Sequence, residues 1–198
     1  ANQIGANSQL ARAMAYYHDL GKTENPTMFV ENQIGYSNPH ESLSPSESAN
    51  IIKSHVIEGV KLAKRFKIPE IVYKGIIEHH GDGVIRYFYE KEKLENSDVL
   101  KEDFRHLGQK PSSKESAILM LADSLEAACR AIFMVEDADE IKIQNVIEEI
   151  FNEKIADDQL SKAPITFEEL SIIKDSFQKS LEGLYHQRVL YPEISEEE

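Results

Sequence analysis

His18 and Asp19 stand side by side in the stretch Tyr16-Tyr17-His18-Asp19-Leu20-Gly21-Lys22. An imidazole and a carboxylate from adjacent positions form a compact pair of metal donors. The carboxylate has two oxygens, so it can bridge two cations while the imidazole fixes one of them. Gly21 lets a helix stop and the chain turn close to whatever the pair holds. Lys22 puts a positive charge at the rim, where an anionic group of a substrate would arrive. Further donors lie downstream: His55, the pair His79-His80 directly before Gly81, and Asp123 inside the apolar run Leu119-Met120-Leu121-Ala122. Four histidines and two aspartates make a mixed nitrogen and oxygen set, which suits manganese, iron or zinc better than magnesium or calcium alone. Six side chains exceed what one open catalytic ion takes, so two ions bridged by Asp19 are the economical arrangement. Two such ions can activate a bridging water and clamp phosphoryl oxygens during in-line attack.

The elements that must position these donors read as helices, with no strand pattern and no internal repeat. Leu10, Ala13, Met14 and Tyr17 recur at helical spacing over residues 8–20, which places His18 and Asp19 at the C-terminal end of a helix. Residues 23–43 are loop-like, with Pro26, Gly35 and Asn38-Pro39, and a loop of this length in a compact domain is usually functional or poorly ordered. Ser44-Pro45-Ser46-Glu47 is a helix start: Ser44 caps, Pro45 suits the first position and Glu47 completes a capping box. That helix runs to about Phe66 with His55 on its apolar stripe, either as a ligand or as a satisfied core histidine.

Pro69 opens the next helix, which ends at His79-His80 with Gly81 as its stop. Neighbours on a helix point about 100° apart, so one ion can take both histidines only at a frayed end or from between them. Two solvated histidines favoured by the helix dipole are the alternative. Residues 84–94 form a short helix with Tyr87, Phe88 and Tyr89, and residues 95–112 are a charged loop. Ser112-Ser113-Lys114-Glu115 offers a second capping box for a helix to about Met134. Asp123 on its apolar surface needs a cation or several hydrogen bonds, since burying a bare carboxylate is costly. Residues 139–157 and 166–188 are amphipathic helices that cover the core, the second opened by a capping box at Thr166-Phe167-Glu168-Glu169.

The 198 residues suit one domain, residues 1–194 with an acidic helical C-terminal part at 135–194, followed by a tail at 195–198. The single cysteine, Cys129, excludes an internal disulfide, fits a reducing compartment and reads as a packed core thiol. Net charge is −13 and unevenly placed: residues 1–134 carry 16 basic and 18 acidic side chains, residues 135–198 carry 6 and 17. The donors therefore lie in the near-neutral part. A broad acidic surface argues against binding nucleic-acid polymers, which takes many phosphate contacts by Lys and Arg. No apolar run is long enough to suggest a membrane span.

The order His-Asp, His, His-His, Asp resembles the HD-domain metal-dependent phosphohydrolases. Within them, five stretches resemble the PgpH-type catalytic domain of the seven-transmembrane-HD proteins. These are His18 to Lys22; Glu31-Asn32-Gln33 with Asn38-Pro39-His40 and Leu43-Ser44-Pro45; Glu78 to Gly81; Tyr87-Phe88-Tyr89; and Met120 to Ser124. The likeness extends to Tyr191-Pro192.

The resemblance implies an all-α HD-domain helical bundle and a phosphodiesterase that hydrolyses cyclic di-AMP to pApA. It implies a cytoplasmic domain of a bacterial membrane protein, cut from its membrane part. Two divalent ions, Mn2+ or Fe2+/Fe3+, would be held by His18, Asp19 and Asp123 on one side and by Asp19, His55, His79 and His80 on the other. His18, Asp19 and Lys22 would serve catalysis. The family's first metal histidine lies farther upstream than the 17 residues that precede His18. His40 and His106, in loop-like stretches, read as solvated surface histidines rather than replacements.

Lys22 is the candidate for substrate phosphate, or else a solvated lysine at the helix end, and Arg130, two turns beyond Asp123, is a second candidate. Tyr87 and Phe88 could stack on adenine or simply pack in the core. Other readings stay open: a cyclic di-GMP hydrolase of the HD-GYP type, another nucleotide phosphohydrolase, or a degenerate HD domain that only binds nucleotide. Against HD-GYP, Gly81-Asp82-Gly83-Val84 is not followed by Gly-Tyr-Pro.

Overall fold

In the computed structural model, described for residues 1–33, 38–133 and 139–186, the chain folds into seven α-helices joined by short 3-10 turns. The expectations at Gly35, Met134, Tyr191-Pro192 and the tail 195–198 lie outside the described residues. The helices are α1 (Ser8–Tyr17), α2 (Pro45–Arg65), α3 (Glu70–Glu78), α4 (Arg86–Glu95), α5 (Lys114–Phe133), α6 (Glu140–Ala156) and α7 (Phe167–His186). Among the described residues the only β feature is an isolated antiparallel bridge between Val84 and Arg105. No described helix is long and apolar enough to cross a membrane.

Local chemistry sets most boundaries. Ser44 accepts from the Glu47 backbone at 3.2 Å while the Glu47 carboxylate accepts from the Ser44 backbone at 2.9 Å, so the capping box forms as read. Thr166 and Glu169 do the same for α7. The expected box at the start of α5 does not form. Ser113 pairs reciprocally with Ser116 instead. Ser112 donates through its backbone and hydroxyl to the buried Glu78 carboxylate at 3.0 and 2.7 Å, and Glu115 accepts from the Asn7 backbone. Long-range partners outbid the local pattern there.

Helix α1 packs on α3 and α5, α2 on α3 and α4, and α6 lies between α5 and α7. The main core joins Leu121, Leu125 and Cys129 of α5 to Ile143, Ile147 and Phe151 of α6. The acidic C-terminal helices thus cover the core, as their amphipathic pattern implies, and Cys129 is a fully buried thiol. A smaller cluster of Ala49, Phe88 and Phe104 supports α2 and α4.

Gly21 works differently from the expectation. Its φ is not positive; a Cβ there would stand 1.8 Å from the His55 carbonyl oxygen and 2.6 Å from the Gly59 nitrogen. The residue is needed for close approach to α2, not for a left-handed turn. Gly81, with φ +57°, is the left-handed stop it was expected to be.

Candidate metal centre

Four elements bring the donors together. Helix α1 ends at Tyr17, three residues short of the expected limit, so His18 and Asp19 lie just past it, where the backbone turns into the 3-10 segment Leu20–Glu24. His55 sits on the inward face of α2, 1% exposed. His79 and His80 follow α3, and the left-handed Gly81 ends that run. Asp123 projects from the middle of α5.

Three of the imidazoles are fixed by the helix behind them. The Nδ1–H of His18 donates to Ala15 O at 2.8 Å, that of His55 to Ile52 O at 2.5 Å, and that of His79 to Ile76 O at 2.9 Å. A nitrogen facing a carbonyl must carry the proton, which leaves each neutral ring with an Nε2 lone pair for a cation. Those atoms converge. His55 Nε2 and His79 Nε2 are 3.2 Å apart, and each lies 3.7 Å from Asp19 Oδ1. His18 Nε2 is 3.1 Å from Asp19 Oδ2 and 3.4 Å from Asp123 Oδ1, while His80 Nδ1 is 3.6 Å from Asp123 Oδ2.

The donors fall into two sets that could each hold an ion: His55, His79 and His80, and His18, Asp19 and Asp123. Asp19 Oδ1 is buried without a hydrogen-bond partner. A bare carboxylate oxygen facing two imidazole lone pairs is unfavourable without a cation among them. The residues fit a divalent metal.

Charge follows the same division. Burial, reinforced by neighbouring histidines, lowers His79 to about 4 and His80 well below its ordinary value; burial also lowers His55. All three are neutral donors near neutral pH. His18 behaves oppositely: burial opposes its charge, but Asp123 and Asp19 outweigh this and raise it to about 10. A cation held by the same three side chains would take the place of that proton. Burial also works against Asp19 and is outweighed by His18 and Lys22, which hold its carboxyl far below the usual range.

Residues 1–128 match the sequence profile of the HD domain. The chain belongs to the HD-domain family. Within that family it groups with PgpH HD domains. It is 41% identical over 192 residues to the cyclic-di-AMP phosphodiesterase PgpH of Bacillus subtilis, covering 97% of this chain and 27% of that protein. It is 42% identical over 193 residues to the PgpH of Listeria monocytogenes, covering 98% of this chain and 26% of that protein. The chain therefore spans about a quarter of the length of the curated relatives it matches. The crystal structure of the Listeria monocytogenes PgpH HD domain in complex with cyclic-di-AMP superposes with a TM-score of 0.89 at 41% identity, covering 96% of this chain and 87% of that one. The all-helical HD architecture expected from the sequence is thus the observed one.

The HD centre opens into a cavity of about 310 Å³ whose lining includes Lys22, Phe29, Glu31, Tyr87, Asp123 and Arg130. Lys22 lies 2.7 Å from Asp19 Oδ2 and 2.6 Å from Glu31 Oε1. Arg130 faces Glu126 at 3.1 Å and Glu31 at 3.9 Å. Both expected substrate cations therefore reach the cavity, and one carboxylate from the loop between α1 and α2 holds them. Tyr87 is 72% exposed at the cavity, whereas its neighbour Phe88 is buried in the smaller core. Of the two aromatics, Tyr87 is the exposed one, its ring edge-to-face with Phe88 at a centroid distance of 5.1 Å.

Two histidines depart from the expectation of solvated surface. His40 is buried, its Nε2 2.8 Å from Met28 O and its ring packed on Phe88, so it braces the cavity loop. His106 is half-buried and stacks on His80, with ring centroids 4.1 Å apart. Both lie in segments without helical periodicity, so no pattern marked them as inward.

Proposed function

We propose that this chain is the catalytic domain of a phosphodiesterase that hydrolyses cyclic di-AMP to pApA at a dinuclear metal centre, on the cytoplasmic side of a longer membrane-anchored protein. One ion would be held by His18, Asp19 and Asp123, the other by Asp19, His55, His79 and His80, with Mn2+ or iron as the metal suited to this donor set. The observation that carries the reading is Asp19, whose unpartnered Oδ1 faces the Nε2 atoms of His55 and His79, beside a cavity lined by Lys22, His55, His80, Asp123 and Arg130. The solved relative that holds cyclic-di-AMP supports the choice of substrate.

Bound in this centre, a pair of divalent cations supplies an activated water and positive charge for the phosphoryl oxygens. The chain's own groups do the rest. The backbone carbonyls of Ala15, Ile52 and Ile76 keep three imidazoles in the tautomer that presents Nε2. Lys22 stays protonated, because Asp19 and Glu31 outweigh the burial that would discharge it, and it offers an ammonium to substrate phosphate. Arg130 supplies a second cation farther along α5. Tyr87 presents a ring face on which a base can stack.

The test is elemental analysis alongside turnover of cyclic di-AMP and cyclic di-GMP. A version extended upstream is measured in parallel. Two metals per chain with selective cleavage of cyclic di-AMP is the expected result. Preference for cyclic di-GMP would move the chain to the HD-GYP reading. Stoichiometric nucleotide binding with neither metal nor turnover would make it a binding domain.

A further inference from the structure

We infer that His106 is a positioning residue for His80, holding that imidazole by ring stacking where the other three histidines are held by a backbone carbonyl. The inference rests on the metal centre proposed above. Among the described residues, His18, His55 and His79 each have Nδ1 on a carbonyl of the preceding turn, and no such carbonyl meets the His80 ring. Three rings surround His80 instead, with His55 edge-on at a centroid distance of 5.1 Å and planes 88° apart. His79 lies at a centroid distance of 3.9 Å with planes 41° apart, and His106 at 4.1 Å with planes only 25° apart. The His106 face is the nearer to parallel, and it comes from a different segment.

That segment is locked to the one carrying His80. The His106 backbone N–H donates to Gly83 O at 2.8 Å, Ile85 N–H donates to Phe104 O at 2.8 Å, and Gln109 N–H donates to Ile77 O at 2.9 Å. Arg105 donates to Asp82 O at 2.8 Å and forks onto Asp157. Phe104 is 1% exposed and anchors the run in the core. Gly108 permits the approach, since a Cβ there would stand 2.4 Å from Ile77 O and 2.5 Å from Gly81 O. Residues 104–109 thus ride on residues 77–85 as one clamp, with a ring stack at its centre. His106 Nδ1 has no hydrogen-bond partner among the described residues, and the contact that His106 makes with His80 is through the ring face. A ring held on one face keeps the plane of His80 fixed beside His55 and His79.

The test is Mn2+ affinity, by competition titration and by the paramagnetic resonance of bound Mn2+, in wild type, His106→Ala, His106→Phe and His106→Gln. Loss of a group that orients a metal ligand weakens affinity roughly 10–100-fold, which is the expectation for His106→Ala and His106→Gln. His106→Phe keeps a flat ring and should bind Mn2+ nearly as wild type does, with the wild-type spectrum. If His106→Ala does not fold, as circular dichroism would reveal, the contrast between Phe and Gln carries the same test. Wild-type affinity in every variant overturns the inference, and so does a Phe variant as weak as Gln, since a nitrogen would then be what matters. Absence of Mn2+ binding by wild type would remove the metal reading itself and this inference with it. Intact wild-type binding with unaffected variants would remove the inference alone.

Discussion

Gly21 and His55 approach so closely that a Cβ on Gly21 would stand 1.8 Å from the His55 carbonyl oxygen. The obstacle is backbone, which cannot swing away as a side chain can. Gly21→Ala must push the Leu20–Glu24 turn, and Asp19 with it, off α2. Overpacking of this kind costs about 1–3 kcal/mol or more, to be read by urea unfolding, and metal content should fall with it. Gly183→Ala is the control. Nothing lies within 4 Å of its Cβ position, and it sits inside α7, so this change should stabilise by roughly 0.5–1 kcal/mol. An unperturbed Gly21→Ala would show that the approach between turn and helix is looser than described.

Asp19→Ala should abolish metal binding and all hydrolysis, because one carboxylate faces both donor sets. Elemental analysis and turnover decide it. Full activity with metal retained would sink the dinuclear arrangement.

Lys22→Ala should weaken nucleotide binding by about 10-fold or more while metal content stays unchanged, as expected when a charge-assisted contact to phosphate is lost. Calorimetric titration with cyclic di-AMP beside elemental analysis separates the two effects. Metal loss would instead give Lys22 a role in holding Asp19, from which it stands 2.7 Å.

The fork of Arg105 on Asp157, at 3.0 and 3.1 Å, should make stability depend on pH. Burial works against the Asp157 charge, but Arg105 and Gln159 outweigh it, so its folded pKa lies below the ordinary carboxylate value. A depressed carboxylate contributes stability above its unfolded pKa and loses it as pH falls through the folded one. Asp157→Asn should therefore cost on the order of 1 kcal/mol at pH 7, less as pH drops below about 4. A gap that stays constant across that range would deny the ion pair its role.

Cys129 should resist thiol reagents in the folded chain. It is fully buried, and burial, with Glu126 nearby, pushes its thiol up to about 11. Labelling should track unfolding in urea; rapid labelling of the native chain would contradict this.

The sequence by itself determined what depends on neighbours along the chain. Helical periodicity turned His55 and Asp123 inward, capping residues set the starts of α2 and α7, and Gly81 ended the run through His79-His80. The donor types at those places were enough to name a mixed-ligand metal centre. Only the tertiary structure decided which atoms meet. It turned Asp19 Oδ1 toward His55 and His79, brought Glu31 onto Lys22, drew Ser112 away to Glu78, and laid His106 on His80. The reason is physical. A helix face is a local property with a fixed period, legible from side-chain spacing. Approach between segments is set by how closely backbones can pack, and at Gly21 and Gly108 it rests on a missing Cβ whose use becomes visible only once the opposing carbonyl is in place.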